Sequence, residues 1–378
     1  AVRLGIASHN VFDVAYAATV ARRNGVADQV TFEMIEGMAN HVRRAVAETG
    51  CDLLTYAPVA EDRHFIAAVA YLIRRLDENT GPRNFLRHVN GLKSGSPAWR
   101  MLAERFRASV RRMPLLSAEP HRRQNRLTER LVRERPGGNG GAFRNEPNTD
   151  WSLAPNRAWA EEIRRRWMKR PGDAPVEVPL VVAGSEVSVG RRRLETLDPS
   201  QLPARVCVSR SALATAADVR RAVACAVEDP DGWRALTARR RRRMLSAAAV
   251  EIRRARADLI GATAATTGKL FTEADPEVSE AVDFAEFYPR AAEAYYRLES
   301  LRCRGKGVGV VVTPWNFPIA IPCGGITAAL AAGNTVVFKP SSDAILVGWL
   351  LCRCFWKAGV PPTALQFLPC AGDGAGAA

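Results

Sequence analysis

At 378 residues, with 47% hydrophobic and 25% charged side chains, the chain has a globular composition and the length for two or more domains with their own cores. No apolar run approaches the ~20 residues that cross a bilayer, and no secretory signal opens the sequence. The eight cysteines include no CxxC pair and the five histidines all lie in the first third, which speaks against a zinc site and for a reducing cytosol. A formal charge of +15 raises a nucleic-acid-binding reading. Only six of the 54 basic residues are lysine, so coding bias accounts for the charge as readily as a binding surface does. The densest run, Arg239 to Arg243, reads as a solvated helix face, with no helix-turn-helix, zinc-finger or RNP signature beside it.

Three β/α units open the chain. Leu4 to Ala7 reads as a strand, followed by the Ser8-His9-Asn10 turn and a helix ending near Gly25. Val30 to Met34 is the second strand, with Glu36-Gly37-Met38 opening a helix that stops at Gly50. Asp52 to Tyr56 is the third, followed by a long helix through Asn79. A period of roughly 25 residues suits a β/α barrel or an open doubly wound sheet. In the last helix Phe65, Val69, Leu72 and Leu76 form one apolar stripe of the kind a helix turns toward a core. Tyr71, Arg74, Arg75 and Glu78 cluster on a different face. Paired guanidiniums beside a phenol can clamp a carboxylate, although spacing alone favours an exposed face with Arg74–Glu78 as an ordinary i,i+4 pair.

Tyr56-Ala57-Pro58-Val59, the run Tyr71 to Leu76 and Glu78-Asn79 resemble the eighth strand and eighth helix of the proline dehydrogenase barrel. Ser8-His9-Asn10 resembles that family's Thr-His-Asn turn with Ser in place of Thr, and Phe32 to Met38 resembles its next strand and Gly-Met turn. The resemblance implies that Tyr56, Tyr71, Arg74 and Arg75 hold L-proline, the arginines on its carboxylate. It also implies that Ser8, His9 and Asn10 contact FAD and that Glu78 supports the flavin side.

Residues 91–175 read as a helical and linker region. Basic helical stretches at about 97–112 and 119–134 precede the turn-rich break 136–141. Asn145 to Asp150, NEPNTD, offers cap and turn chemistry. It resembles the segment between the two catalytic domains of bifunctional proline-utilisation proteins.

From Val176 strand-like pieces (Val176 to Ala183, Glu186 to Val189) give way to helices at Ala216 to Val227 and Leu236 to Ala257, the latter leading into a further helix. The run from Gly268-Lys269 to Glu273-Ala-Asp-Pro-Glu-Val-Ser-Glu-Ala-Val-Asp-Phe284 resembles a helix region of glutamate-semialdehyde (pyrroline-5-carboxylate) dehydrogenases. Its acids alone read as a solvated face. Val308 to Val312, a segment broken at Pro314 and ending at Gly333-Asn334, and Thr335 to Lys339 then form a βαβ pattern. In such a unit a nucleotide site lies at the carboxyl ends of the strands, where Trp315-Asn316 and Lys339 fall. Ser341-Ser342-Asp343 suits the cap of a helix over Ala344 to Ala358, and Leu365 to Leu368 is a third strand leading to Gly372-Asp373-Gly374.

Thr313-Pro-Trp-Asn-Phe-Pro318 and Lys339-Pro340-Ser341 resemble the NAD-binding start of the aldehyde dehydrogenase superfamily. The resemblance implies that the Asn316 amide donates to the oxyanion of a thiohemiacetal and that Lys339 bonds the adenosine ribose. Pro314, Trp315, Ser341, Ser342, Gly372 and Gly374 would line the dinucleotide. Many relatives carry Glu where Ser342 stands, which leaves NAD against NADP open. The family's nucleophilic Cys and general-base Glu lie beyond this glycine turn. Cys323, Cys352 and Cys354 read as structural, and none of the eight cysteines is expected to substitute.

The expected fold class is α/β: C-terminal units of a (β/α)8 barrel at 1–90, a joining region at 91–175, and an incomplete Rossmann-like NAD-binding domain at 176–378. Both ends look cut. The resemblances imply an internal segment of a bifunctional enzyme oxidising L-proline with FAD and glutamate semialdehyde with NAD, the segment itself being inactive. They further imply a membrane quinone as electron acceptor, a homo-oligomeric parent, a cytoplasmic location with peripheral inner-membrane contact, no metal and no nucleic acid. The rival readings are a basic nucleic-acid-binding protein and a non-catalytic nucleotide-binding scaffold.

Overall fold

The first strand, β1 (Leu4–Ala7), ends where Asn10 caps helix α1 (Val11–Arg23) by accepting from the Phe12 amide. This opens the computed structural model, which describes residues 2–129 and 143–372. The chain divides into two units, one up to Pro120 and one from His121.

In the first unit β2 (Val30–Ile35), α2 (Asn40–Glu48), β3 (Asp52–Tyr56) and α3 (Phe65–Thr80) follow, then the short α4 (Leu86–Val89) and α5 (Pro97–Arg112). The sheet has the order β1-β2-β3, all parallel. Central strand β2 alternates, burying Val30, Phe32 and Met34 against Val14, Val42, Val46 and Leu102. Helix α2 begins four residues later than the sequence pattern implies, because Gly37 (φ 78°) and Ala39 (φ 47°) are left-handed and cannot start a right-handed helix.

Two expectations fail here. The α3 stripe is not buried: Phe65 is 63% and Leu76 57% exposed, and no residue of the helix is buried. A stripe is covered only if an element lies against it, and among the described residues the sheet stops at β3. The basic stretch at 119–134 is also not helical over 121–129. There Gln124 donates to Asn148 O, accepts from Asp150 N, and Arg126 donates to Pro147 O, which ties this backbone to the NEPNTD strap instead. The rest of that stretch and the 136–141 break lie outside the described residues.

The first helix of the second unit is α6 (Ala154–Trp167), within the stretch read as a helical and linker region. The apolar run from Val176 is split by Pro179, which has no N–H to give a ladder. Its halves, β4 (Val176–Val178) and β5 (Leu180–Val182), join different sheets. Ala183 (φ 50°) and Gly184 (φ 80°) form a two-residue hairpin turn into β6 (Ser185–Val187). Strands β7 (Arg193–Leu197) and β8 (Cys207–Ala212) were also missed; they complete the small sheet β4-β8-β7.

Helices α7 (Ala216–Glu228), α8 (Ala238–Arg254), α9 (Arg256–Thr267) and α10 (Phe271–Tyr296) lead to the βαβαβ run. That run comprises β9 (Val308–Val312), α11 (Ala320–Ala331), β10 (Thr335–Lys339), α12 (Ile345–Lys357) and β11 (Leu365–Phe367). β9, β10 and β11 are parallel within the order β6-β5-β11-β10-β9, leaving β9 as an edge with Val310 65% and Val312 66% exposed. Trp233, Ile252, Leu259, Ile319, Phe338 and Phe355 are among the side chains that fill the core.

Two charged runs each turn some members inward, while Arg239, Arg240 and Arg243 stay exposed. Asp275, Glu277, Glu286 and Glu293 on α10 are buried, and so is Arg241 in the basic run of α8. Arg242 reaches Glu293 at 2.7 Å. At the start of α7, Thr215 and Asp218 form a capping box, and Arg191 grips Asp218 bidentately at 2.7 and 2.8 Å. The Arg191 hydrogen bond lowers the Asp218 pKa from 3.8 to about 2. A depressed carboxylate contributes stability above its unfolded pKa and loses it as pH falls through the folded value. Asp218→Asn is therefore expected to flatten the acid limb of stability between pH 3.8 and about 2, read by chemical denaturation at several pH values.

Candidate functional site

In the first unit the strand ends gather the predicted residues. After β1, Ser8 Oγ donates to Asp13 Oδ2 at 3.3 Å and accepts from Asn10 N at 3.1 Å, fixing the turn on which His9 sits. His9 is half-buried with Nε2 unbonded, and burial lowers its pKa against a hydrogen bond with the Ile35 backbone. Ser8, His9 and Asn10 line a cavity of about 350 Å³ with Asn79, Arg83 and Phe85. An orphaned imidazole nitrogen on a residue that lines a polar cavity suits a hydrogen-bonding ligand.

At the end of β3, Tyr56 lies near Tyr71, Glu33 and Arg75: its phenol is pushed up first by burial, then by Tyr71 and Glu33, with Arg75 opposing. The Arg75 guanidinium carbon lies 5.3 Å from the Tyr71 ring centre, and Nη2 is 2.6 Å from Glu78 Oε1. The ion pair of this helix face is thus Arg75–Glu78, at i,i+3, rather than Arg74–Glu78. Arg74 is exposed and joins no ion pair among the described residues.

In the second unit, β9 and β10 pair in parallel so that Val312 is opposite Lys339, and the Thr313 amide donates to Lys339 O at 3.4 Å. The Pro314-Trp315-Asn316 turn therefore leaves the sheet beside Lys339. Trp315 is 54% exposed, and Lys339 joins no ion pair among the described residues. These residues fit a dinucleotide: an open ring face and an available ammonium at parallel strand ends. Ser341 makes no side-chain cap; a short turn, Ser342–Ala344, precedes α12 instead. Gly372 is in an exposed turn, while Gly374 lies outside the described residues.

Sequence reasoning missed what holds this turn. Lys269 donates to Asn316 O at 2.7 Å, sits 4.0 Å from the Phe317 ring centre and pairs with Glu277. Glu277 accepts from the Ile319 and Ala320 amides at 3.1 and 3.3 Å, a carboxylate at the N-terminus of α11. Burial pushes the Glu277 pKa up, against Lys269 and both amides. The Gly-Lys…Glu run was visible in the sequence, but an acid on a 26-residue helix looks solvated until a second helix covers it. Cys323 is fully buried, donates to Ala281 O at 3.3 Å, and burial pushes its thiol up to about 12. Burial also pushes Cys354 up to about 12, so neither has the thiolate character of a nucleophile. Among the described residues no group of three or more His, Cys, Asp or Glu could hold a metal.

Residues 187–378, half of the chain, match the aldehyde dehydrogenase family, and residues 1–88 match proline dehydrogenase. The chain belongs to the aldehyde dehydrogenase family. The chain is 29% identical to the bifunctional protein PutA of Salmonella typhimurium, over 98% of its own length and 27% of the relative's. It is 30% identical to 1-pyrroline-5-carboxylate dehydrogenase of Bacillus cereus over 62% of the chain and 46% of that enzyme. The crystal structure of proline utilization A from Bdellovibrio bacteriovorus inactivated by N-propargylglycine is similar over 99% of the chain and 37% of its own, with TM-score 0.79 and 28% identity. Thermus 1-pyrroline-5-carboxylate dehydrogenase with bound NAD gives TM-score 0.58 and 33% identity over 63% and 47%. The chain thus spans about a quarter of the bifunctional relative and under half of the 1-pyrroline-5-carboxylate dehydrogenase.

Proposed function

We propose that this chain serves a bifunctional oxidoreductase of proline catabolism, which converts L-proline to pyrroline-5-carboxylate and glutamate semialdehyde to glutamate. Residues 1–90 and 176–378 belong to the two catalytic parts and 91–175 join them. The observation that carries the reading is the side-by-side exit of the Trp315-Asn316 turn and Lys339 from adjacent parallel strands.

In the first part Arg74 and Arg75 bind the proline carboxylate, while Tyr56 and Tyr71 wall the ring and exclude water. Ser8, His9 and Asn10 hold FAD, with Glu78 fixing Arg75 on the flavin side; bound FAD supplies the hydride acceptor. In the second part Lys339 bonds the ribose, with Pro314, Trp315, Ser341, Ser342 and the Gly372 turn around the dinucleotide; bound NAD supplies the second hydride acceptor. The Asn316 amide donates to the oxyanion that develops on the aldehyde oxygen. On the same reading the parent is a cytoplasmic homo-oligomer with peripheral inner-membrane contact, and electrons from proline leave for a membrane quinone.

Titrating NAD into the 378-residue chain tests the reading. Lys339→Ala is expected to weaken binding about 10-fold, the value of one charge-assisted hydrogen bond; equal affinities for the two chains would refute the ribose assignment. In the bifunctional parent, Arg75→Ala is expected to raise KM for proline with flavin content unchanged. A KM that does not move would remove the carboxylate clamp.

A further inference from the structure

The N-terminal edge of the five-stranded sheet, at the opposite ends of the strands from Asn316 and Lys339, holds a second cavity of about 400 Å³. It is bounded by the first turn of α8, by the loop 303–307 that enters β9, and by Gly333 just ahead of β10. The loop is pinned from below: Asn334 Oδ1 accepts from the Lys306 and Gly307 amides, at 2.6 and 3.0 Å.

Arg234, Arg241, Arg304 and Lys306 line this space, and no carboxylate does. Arg234 is engaged by Asp229 at 3.2 Å. Arg304 and Lys306 are exposed and join no ion pair among the described residues. Thr237 caps α8 and, with Ala238, turns the positive end of a 17-residue helix toward the same space.

Arg241 is the decisive residue. It is only 2% exposed. Its Nε donates to Ala331 O at 3.2 Å and Nη1 to Leu236 O, while Nη2 is buried with no hydrogen-bond partner. The Tyr296 ring centre is 5.1 Å from the guanidinium carbon. At Gly333 (φ +82°) a Cβ would come within 3.1 Å of that carbon, so the group lies flat against bare backbone. Burial pushes its pKa down, with Tyr296 pulling the other way. Closing the C-terminus of α11 requires only the bond to Ala331 O. A guanidinium held rigid in a cation-lined cavity with one NH2 unsatisfied is a donor awaiting an acceptor.

We propose that this cavity binds a small phosphate-bearing anion, with Arg241 as the fixed donor, Arg304 and Lys306 as the closing cations and the α8 N-terminus beneath. The proposal does not depend on the dinucleotide reading, because it uses the other ends of the strands. A volume of about 400 Å³ admits a phosphoryl group with a small organic body.

Calorimetric titration of the 378-residue chain tests it, with inorganic phosphate in one arm, glycerol 3-phosphate in another, and chloride holding ionic strength constant. Saturable binding is expected, tighter in the second arm if the organic body is held and equal in both if the phosphoryl group alone is. Arg304→Ala/Lys306→Ala changes only exposed side chains and is expected to weaken binding at least tenfold. Arg239→Ala, an exposed cation of the same helix outside the lining, and Lys339→Ala are each expected to leave it intact. Absence of saturable binding, or equal weakening by Arg239→Ala, overturns the proposal in favour of diffuse attraction to a basic surface. Loss with Lys339→Ala overturns it in favour of the dinucleotide site.

Discussion

Arg256→Met is expected to lower the unfolding free energy of residues 121–378 by ~3–5 kcal/mol, the cost of stripping the cation from a buried ion cluster. Arg256 is nearly fully buried, 2.7 Å from Asp275 Oδ1 and 2.9 Å from Glu146 Oε1, with Ser279 Oγ at 3.1 Å. Asp275 has no exposure and also accepts from Thr149 N and Oγ1, both at 2.6 Å. Glu146 takes a second cation, Arg253, at 2.8 Å. Removing Arg256 leaves buried Asp275 with only the neutral donors of Thr149, and both it and the NEPNTD strap lose their hold on α9. Arg122→Ala removes a pair with Asp150 that solvent reaches, and its expected cost is ~0–1 kcal/mol. Urea unfolding followed by tryptophan fluorescence compares the two. Equal midpoints would mean that the buried cluster carries no net load.

On the proposed function, Asn316→Ala in a full-length bifunctional enzyme carrying this sequence is expected to lower kcat for aldehyde oxidation by ~10²–10³ while leaving NAD affinity unchanged, the signature of a donor that acts on developing charge. The geometry explains why one amide could matter so much. The Asn316 carbonyl is held by Lys269, which is itself held by buried Glu277, and Glu277 closes the two amides that start α11. The side chain is therefore presented from a turn braced on both sides. Stopped-flow hydride transfer together with equilibrium NAD titration separates the two effects. A matched fall in affinity and rate would assign Asn316 to cofactor binding instead.

Much of this was legible because local pattern and tertiary role agree. The β9–α11–β10 unit is bounded by Pro314 and Gly333 and populated by β-branched strands, and its limits coincide with the observed elements. The second and third opening strands were equally clear, since Val30 and Asp52 each follow a turn. Illegible features were those in which a neighbour reverses the meaning of a residue. Arg241 and Asp275 look solvated in sequence and are buried only because a facing helix terminus or strap satisfies them. The α3 stripe looks buried and is bare because no described element lies over it. β7 eluded pattern reading because Arg193 and Glu195 carry its outward face in a run already rich in arginine. In the candidate sites, residue identity at Tyr56, Asn316 and Lys339 was visible, but the brace formed by Lys269 and Glu277 required the packing of α10 against α11.

Strand β9 has a bearing on how the chain behaves in a test tube. Among the described residues Val308 to Val312 forms a sheet edge, offering an unpaired row of amides and carbonyls with no charge, proline or bulge to discourage a neighbour. Its outward valines give that row a greasy border. Crowding of identical molecules therefore favours lateral stitching of one sheet onto the next, and colloidal behaviour will track this five-residue hem more closely than it tracks the net charge of the whole polypeptide.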